Sequence, residues 1–366
     1  MIIPMKPRRR RPGRVALLHG AVAPDAAPDE QDVLVEVETI GRTLADLGYA
    51  PVPVPLSLDL DAARRRLLDL RPSFVFNLVE SIDGKGRLIH LAPALLDSLG
   101  LPYTGAGTEA VFLTSNKLLT KRLLAEAGID TPAWVDDVPP EACPPFPGPY
   151  IVKSVWEDAS IGIDDDSIVN DPRRLPGLIR RRRRRFGGEW FAERFIDGRE
   201  FNLALLAGGP EEGAVGGVEV LPPAEMRFIG FPPGKPRILD YAAKWDPDSF
   251  AYHNTVRRFD FPDADRPLLA HLAAIAKDCW HRFGLRGYAR VDFRVDAVGR
   301  PWVLEVNANP CISPDAGFAA AAARAGLDLR AVVRRILADM AAVPQPAPAR
   351  GRAGRIKGVE AALAVT

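Results

Sequence analysis

Cysteine is scarce: Cys143, Cys279 and Cys311 are the only three in 366 residues. They show no metal-ligand spacing and cannot all pair, which excludes a disulfide-built scaffold and suits a reducing compartment. Long apolar runs are missing as well. No stretch approaches the roughly 20 residues needed to span a bilayer, and the basic start lacks the apolar core of a signal peptide, so the chain reads as cytoplasmic. An excess of one charge is absent: 48 basic and 47 acidic residues leave a formal net charge of +1. That balance favours neither nucleic acid nor a membrane surface as partner. Two local basic runs remain. Arg8 to Arg11 fall in a Pro-rich leader, and Arg180 to Arg185 read as a solvated helix end before Gly187-Gly188. Lysines are few beside the arginines, so Lys117, Lys153 and Lys244 carry more information than usual. With 47% hydrophobic residues, the chain can build cores for two or three domains.

Residues 14 to 20, Arg-Val-Ala-Leu-Leu-His-Gly, predict a short buried strand. Asp32 to Leu47 then predict a helix and Ala50 to Pro55 a second strand, a βαβ opening. Phe74 to Val79 predict a third strand, followed by the loop Asp83-Gly84-Lys85-Gly86 and a helix from Leu88 to Leu99. Residues 14–107 therefore read as a parallel-sheet α/β domain. A second unit, 108–192, begins with a helix running from Thr108 through Lys117 and Leu124. It continues through a Pro-rich loop at 138–149 to a strand at Tyr150 to Lys153. A strand at Trp190 to Phe195, a turn at Gly198 and a long strand from Glu200 to Leu206 lead into a third unit, 193–342. Helices at Ala316 to Ala325 and Leu329 to Met340 close it. Residues 1–13 and 343–366 read as a disordered basic leader and a tail of low order. There is no internal repeat.

The densest chemistry lies in Arg290-Val291-Asp292-Phe293-Arg294-Val295-Asp296 and Trp302-Val303-Leu304-Glu305-Val306-Asn307-Ala308-Asn309-Pro310. Asp292 sits within an alternating apolar pattern, Gly299 marks a turn, and Glu305 and Asn307 share one face of the returning strand. Asp292, Glu305 and Asn307 can thus converge on one side of a hairpin. Acidic groups flanked this closely by Val, Leu and Phe are costly without a cation. Hard oxygen donors of this kind suit magnesium held against phosphates. Upstream, Tyr150 to Ile163 place Lys153 at the end of a buried strand. A loop with Ser160 and Gly162 follows, from which lysine and backbone can reach nucleotide phosphates. Glu193 stands at a strand end before a turn, where its side chain and backbone can meet base and ribose edges, and Glu200 follows seven residues later.

Taken together these segments resemble the ATP-grasp superfamily, and within it the D-alanine:D-alanine ligase-like branch, over roughly residues 14 to 340. The specific carriers are Pro102-Tyr103-Thr104-Gly105, Ser115-Asn116-Lys117 with Thr120-Lys121, Ile151-Val152-Lys153, Arg199-Glu200-Phe201, and the hairpin above. The resemblance implies an α/β, three-domain ATP-grasp architecture. It has an N-terminal parallel-sheet domain, a central lid domain and a C-terminal α+β metal-binding domain, with ATP between the last two. It also implies that Lys117 and Lys153 contact ATP phosphates, Glu193 and Ile196 line the adenine pocket, and Glu200 holds the ribose. Asp292, Glu305 and Asn307 would bind two magnesium ions, with manganese as a substitute. Arg290 would stabilise developing charge, Lys244 would reach the γ-phosphate, and Ser160 would serve in the catalytic loop. The partners implied are amino-acid or peptide substrates, with a homodimer by analogy. The reaction implied is ADP-forming: a carboxylate becomes an acyl phosphate and an amine then displaces phosphate. Ser154 to Asp166 form the expected lid. A small-molecule kinase and a catalytically silent nucleotide-binding protein are the other readings of the same nucleotide motifs.

The substrate half departs from the ligase pattern. Where a Gly-Gly-x-Ser-x-Glu segment is usual, the chain reads His19-Gly20-Ala21-Val22-Ala23-Pro24 and continues through an acidic stretch containing Asp29, Glu30 and Asp32. Asp158-Ala159-Ser160 stands where Gly-Ser-Ser is common, and Trp245 replaces a tyrosine with a group that donates but does not accept. Cys311-Ile312-Ser313-Pro314-Asp315-Ala316-Gly317 replaces the segment that receives the second carboxylate. The reaction type is expected to be kept and the substrates to differ from two D-alanines. Cys311 reads as a small buried residue, since no base is evident beside it.

Overall fold

The computed structural model describes residues 12–136, 143–208 and 217–342. Nearly all of the expected leader, the 343–366 tail and residues 138–142 of the Pro-rich loop lie outside them. Strand β1 (Arg14–Gly20), helix α1 (Pro28–Asp46) and strand β2 (Ala50–Leu56) form the expected βαβ opening. Pro51, Pro53 and Pro55 alternate along β2, the edge strand of the sheet, so the N–H groups they lack all belong to one side of the strand. Helix α2 (Leu60–Leu70) was not foreseen. The run Arg64 to Arg66 interrupts its apolar stripe of Ala63, Leu67 and Leu70, and Asp59 caps it by accepting the Ala62 N–H at 3.0 Å. β3 (Phe74–Leu78) pairs with β1 in the parallel order β2-β1-β3.

Helix α3 (Leu91–Leu99) is shorter than expected, because residues Gly86–Leu88 form a separate 3₁₀ turn. The helix expected through Lys117 is broken in two, α4 (Thr108–Ser115) and α5 (Lys117–Glu126). Asn116 adopts an extended backbone, and its side chain accepts the Leu118 and Leu119 N–H groups at 3.0 Å each, the local competition that makes Asn a cap. The break places Lys117 on the first turn of α5.

The central sheet comprises β4 (Trp134–Val135), β5 (Tyr150–Ser154), β6 (Ile168–Val169) and, after helix α6 (Leu175–Phe186), β7 (Trp190–Arg194). All are antiparallel, in the order β4-β7-β5-β6. Its core of eight buried residues around Val152, Leu178 and Trp190 is the smallest of the four among the described residues. At about 1.5–3 kcal/mol per buried side chain, it is also the least stabilised. Of the run Arg180 to Arg185, expected to be solvated, Arg182 is buried and pairs with Asp164.

The third sheet contains β8 (Arg199–Ala207), β9 (Val218–Val220) and β10 (Ala224–Phe228). Helices α7 (Tyr241–Trp245) and α8 (Phe250–Asn254) then precede β11 (Thr255–Arg258) and α9 (Arg266–Arg282). The hairpin β12 (Tyr288–Val295) and β13 (Pro301–Asn307) completes the antiparallel order β11-β10-β8-β12-β13, with β9 beside β8. Helices α4, α5 and α9 cover one face. The other face shares one core with α10 (Gly317–Arg324), α11 (Leu329–Ala342), α1 and the parallel sheet. The divisions expected at 107/108 and 192/193 therefore do not follow the packing: α4 and α5 lie on β13, and β7 stays in the central sheet through Arg194. At Gly198, between β7 and β8, φ is 154° and an added Cβ would stand 2.0 Å from the Val295 carbonyl oxygen, so only glycine fits. Among the described residues no helix is long and apolar enough to cross a membrane.

Candidate active site

A cleft holding about 840 Å³ of space, part of it open to solvent, lies between the central and third sheets, floored by β5, β12 and β13 and covered by the loop after Ser154. Lys117, Lys153, Glu193, Ile196, Glu200, Lys244, Asp292 and Glu305 all line it. Residues 188 positions apart in sequence thus meet because two antiparallel sheets face each other across one cleft.

The lysines differ in their surroundings. Lys117 Nζ donates to the Glu157 carbonyl at 2.9 Å and to Asp158 Oδ1 at 2.8 Å, and stands 3.8 Å from Glu305 Oε2. Burial works against its charge, but Asp158 and Glu305 outweigh it and hold the ammonium above the ordinary lysine range. Lys153 pairs with Glu193 Oε1 at 2.6 Å, and Lys121 approaches Glu193 Oε2 at 2.5 Å. Lys121 is almost wholly enclosed and also donates to Thr131 Oγ1 and the Pro132 carbonyl. Burial lowers it to about 8 even against the pull of Glu193. Lys244, on α7, makes no ion pair among the described residues, and burial followed by the Arg290 charge lowers it.

On the hairpin, Asp292 stands directly across from Glu305 and Arg290 across from Asn307, with a register shift just after Asp292. Arg290 Nε and Nη2 donate to the two Asp292 oxygens at 2.8 and 2.9 Å, and Nη2 lies 3.5 Å from Glu305 Oε1. Burial opposes the Glu305 charge, yet Lys117, Arg290 and Lys244 together hold its carboxyl down to about 2. Asp292 is raised by burial, with Arg290 opposing. A buried carboxylate, Asp292, and a half-buried one, Glu305, both facing side-chain cations, form a hard-oxygen donor set, which suits magnesium rather than a softer metal. Asn307 is less free than expected. Its Oδ1 accepts the Asn309 N–H at 2.9 Å, leaving a single lone pair on that oxygen.

Two other expectations shift. Glu193 lines the cavity, but its carboxylate is spent on Lys121 and Lys153; Arg194, Phe195 and Ile196 line the same wall. Ser160, expected among the catalytic groups, donates its hydroxyl to the Leu239 carbonyl at 2.6 Å and so fastens the loop. Ala159 and Ser160 both have left-handed φ, 54° and 62°, which turns the loop over the cavity. Trp245 Nε1 donates to the Ala159 carbonyl at 3.2 Å, as an indole can. Glu200 is held by Arg294 at 2.6 Å.

Several functional neighbours were not foreseen. The sequence pattern assigns Lys121 no role of its own, and its enclosed position follows from the face of α5 that it shares with Lys117, four residues earlier. Carboxylates do sit beside Cys311. Its thiol donates to Asp32 Oδ2 at 3.1 Å, and the donor atoms of Glu36, Glu80 and Cys311 lie within 4.8 Å of one another. Burial, Glu80 and Glu36 push the thiol well up, which keeps it from acting as a nucleophile. Asp29, the first residue of the uncertain acidic stretch, accepts the Tyr241 hydroxyl at 2.8 Å.

Residues 135–338 match the family model described as D-ala D-ala ligase C-terminus. A D-alanine–D-alanine ligase of Chromohalobacter salexigens is 32% identical over 337 residues, 90% of this chain and 95% of the relative. An uncharacterized protein of Sinorhizobium fredii is 32% identical over 270 residues, 72% of this chain and 73% of its own. Among solved structures, the D-alanine–D-alanine ligase of Bacillus anthracis complexed with ATP gives a TM-score of 0.65 at 20% identity, covering 90% of this chain and 97% of that one. The D-alanyl-alanine synthetase A of Vibrio cholerae gives 0.68 at 16%, covering 91% and 99%. The solved structures share the fold, and the family model with relatives 32% identical over most of the chain fixes the kinship: the chain belongs to the D-alanine–D-alanine ligase family of ATP-grasp ligases.

Proposed function

We propose that this ligase-like chain binds ATP with magnesium in the cavity described and joins the carboxylate of one small molecule to the amine of another, the pair being other than two D-alanines. The observation that carries the reading is the meeting of Lys117, Lys153 and Lys244 with Asp292 and Glu305 in one covered cavity. In this reading Ile196 and the backbone of Glu193 bound the adenine, Glu200 takes ribose hydroxyls, and Lys117 and Lys153 neutralise phosphate oxygens. Lys244, unpaired and lowered, meets the γ-phosphate. Asp292, Glu305 and the remaining lone pair of Asn307 would hold magnesium, two ions with manganese as a substitute, which supplies charge neutralisation to the phosphates. The carboxylate oxygen attacks the γ-phosphorus and ADP leaves. The amine then attacks the acyl carbon and phosphate leaves, with Arg290 beside the oxygens that gain charge. Ser160 positions the covering loop. The rewritten substrate half supports different substrates, amino acids or peptides: Asp29 is tied to Tyr241, an indole occupies position 245, and Asp32 meets Cys311 and Ser313.

The test is release of phosphate from ATP and magnesium across D- and L-amino acids, singly and in pairs, with mass spectrometry of the products. Release that needs a pair and yields an amide supports the ligase. A phosphorylated hydroxyl product would establish a kinase, and ATP binding without any turnover across the panel a silent protein. Every phosphate lysine and both hairpin carboxylates are present, which favours turnover. Size by light scattering reports whether the chain is the homodimer that analogy suggests.

A further inference from the structure

Helix α6 and the 3₁₀ turn that leads into it, Pro172–Arg174, carry eight arginines, and none of them has a part in the site described above. Asp171 answers Arg173, and Asp164 answers the buried Arg182. The other six, Arg174, Arg180, Arg181, Arg183, Arg184 and Arg185, are exposed and form no ion pair among the described residues. Helix α6 itself contains no acidic residue. A helix turns about 100° per residue, so Arg174, Arg180, Arg181, Arg184 and Arg185 fall within an arc of about 140°, spread along roughly 16 Å of axis. They lie opposite the stripe of Leu175, Leu178 and Ile179 that packs on the central sheet. Along β5, Tyr150 and Val152 join that core, whereas Ile151 and Lys153 line the cavity. The arginine face therefore looks outward, on the side of the central sheet away from the cavity.

Such a face is costly to hold bare. Arg180 with Arg184, and Arg181 with Arg185, are like charges four residues apart, an arrangement that weakens a helix. The helix dipole favours Arg183, Arg184 and Arg185 in the last turn but gives Arg174, Arg180 and Arg181 no such support. We propose that this arginine face docks on an anionic phospholipid surface, which holds the protein by charge alone and leaves the cavity facing away. The near-zero net charge does not oppose it. Salt screens charges more than about 8–10 Å away, and docking brings only this face within that reach. A protein partner would meet apolar or aromatic side chains at the centre of its interface, with charge kept to the rim. Here the centre is guanidinium. Single-stranded nucleic acid is held by bases stacked on aromatic rings, and the one large apolar side chain that α6 exposes, Phe186, already has the Arg185 guanidinium over its ring at 4.9 Å. A layer of mobile phosphate headgroups asks only for cations spread over one face. Guanidinium meets phosphate oxygens two at a time, and clusters of four to eight basic residues on an amphipathic helix suffice.

The test is sedimentation of the full chain with vesicles of phosphatidylcholine, alone or mixed with phosphatidylglycerol, at about 0.05 M and about 0.5 M salt. Binding should need the anionic lipid and fade at the higher salt. Arg180→Gln, Arg181→Gln and Arg184→Gln combined should weaken it by about tenfold or more, since each arginine near an anionic surface contributes about fivefold. All three are exposed and their loss relieves repulsion within α6, so the variant keeps the circular dichroism of the wild type. Equal binding to neutral vesicles would overturn the proposal. So would binding that survives in the triple variant, which would place the contact on other basic residues such as the run Arg8 to Arg11. A duplex oligonucleotide that binds through these arginines while the vesicles do not would replace the membrane with nucleic acid. No binding to either at the lower salt would return α6 to a solvated helix end, and the proposal would fall. None of these readouts involves turnover, so they stand apart from the ligase reading.

Discussion

Replacing Glu157 by alanine should uncouple ATP cleavage from amide formation. Glu157 lies in the loop Ser154 to Asp166, proposed as the lid, and its Oε2 accepts the Gly86 N–H at 2.9 Å. That bond ties the lid to the first unit; Ser160 and Trp245 tie it to the third. The approach at Gly86 is close, since an added Cβ there would meet the Trp156 carbonyl oxygen at 2.7 Å. A hydrogen bond to a charged acceptor contributes about 1.5–3 kcal/mol, and partial exposure trims the lower bound to about 1. Its loss lowers the closed-to-open ratio by about 5- to 150-fold. An open lid admits water to the acyl phosphate. Quenched reactions that count ADP and amide together should show the ADP-to-amide ratio rising several-fold above that of the wild type. The KM for ATP should change little, because Glu157 is not among the groups assigned to the nucleotide. Gly86→Ala, acting from the other side of the contact, should give the same phenotype. An unchanged ratio in both variants would refute the assignment of this loop as the water-excluding lid.

Three further outcomes follow from the site. Asp292→Ala or Glu305→Ala should cut magnesium-dependent ATP turnover by about 10²- to 10³-fold while circular dichroism stays that of the wild type; turnover within tenfold would remove these residues from the metal site. Glu193→Gln strips the counter-charge from Lys121 and Lys153 and should cost about 3–5 kcal/mol in urea unfolding. A loss below 1 kcal/mol would mean the triad is not the closed unit described. Lys121, lowered to about 8, binds its proton more weakly folded than unfolded. Wild-type stability relative to Lys121→Met should therefore be flat below about pH 8 and rise by up to about 3 kcal/mol as pH climbs towards 10.4, the unfolded value; a flat or falling difference would contradict the buried, destabilised ammonium.

What was legible in the sequence was whatever rests on short-range pattern. The strand at 14–20, the β12–β13 hairpin and the Gly198 turn each declare themselves through period-two alternation or a glycine that no other residue replaces. Asp292 and Glu305 followed from that alternation. What escaped depends on partners distant in sequence. Glu193 looked like an exposed strand end, and only the packing of α5 against the central sheet brings Lys121 to it. Ser160 was expected to serve in the catalytic loop, and only the loop before α7 supplies the Leu239 carbonyl that its hydroxyl meets. Asn116 hid a helix break because a cap and a solvated helical asparagine read alike in one sequence. Glu80 carried no periodic signal, while Glu36 could have been found: with Asp29 and Asp32 it makes an acidic ridge on a helix whose neighbouring stripe, Val33, Val37 and Ile40, is buried.

The pattern of kept and rewritten residues follows from where each half of the site is built. The half proposed for the nucleotide stands on strands β5, β7, β8, β12 and β13, whose backbone ladders fix Lys153, Glu193, Glu200, Asp292 and Glu305 in register. A change there disturbs a buried charge network as well as a ligand contact. The substrate half is assembled from the start of α1, the residues after β3 and the segment after β13, parts whose side chains meet across a single shared core. These can exchange side chains without shifting a strand. Yet the first and third units are bound into one body by that core, while the lid rests on its own small one. Side chains that α1 and the segment after β13 present are therefore held to one another by that shared core. A ligase built this way can change its substrate contacts without rebuilding the strands that carry its lysines and carboxylates.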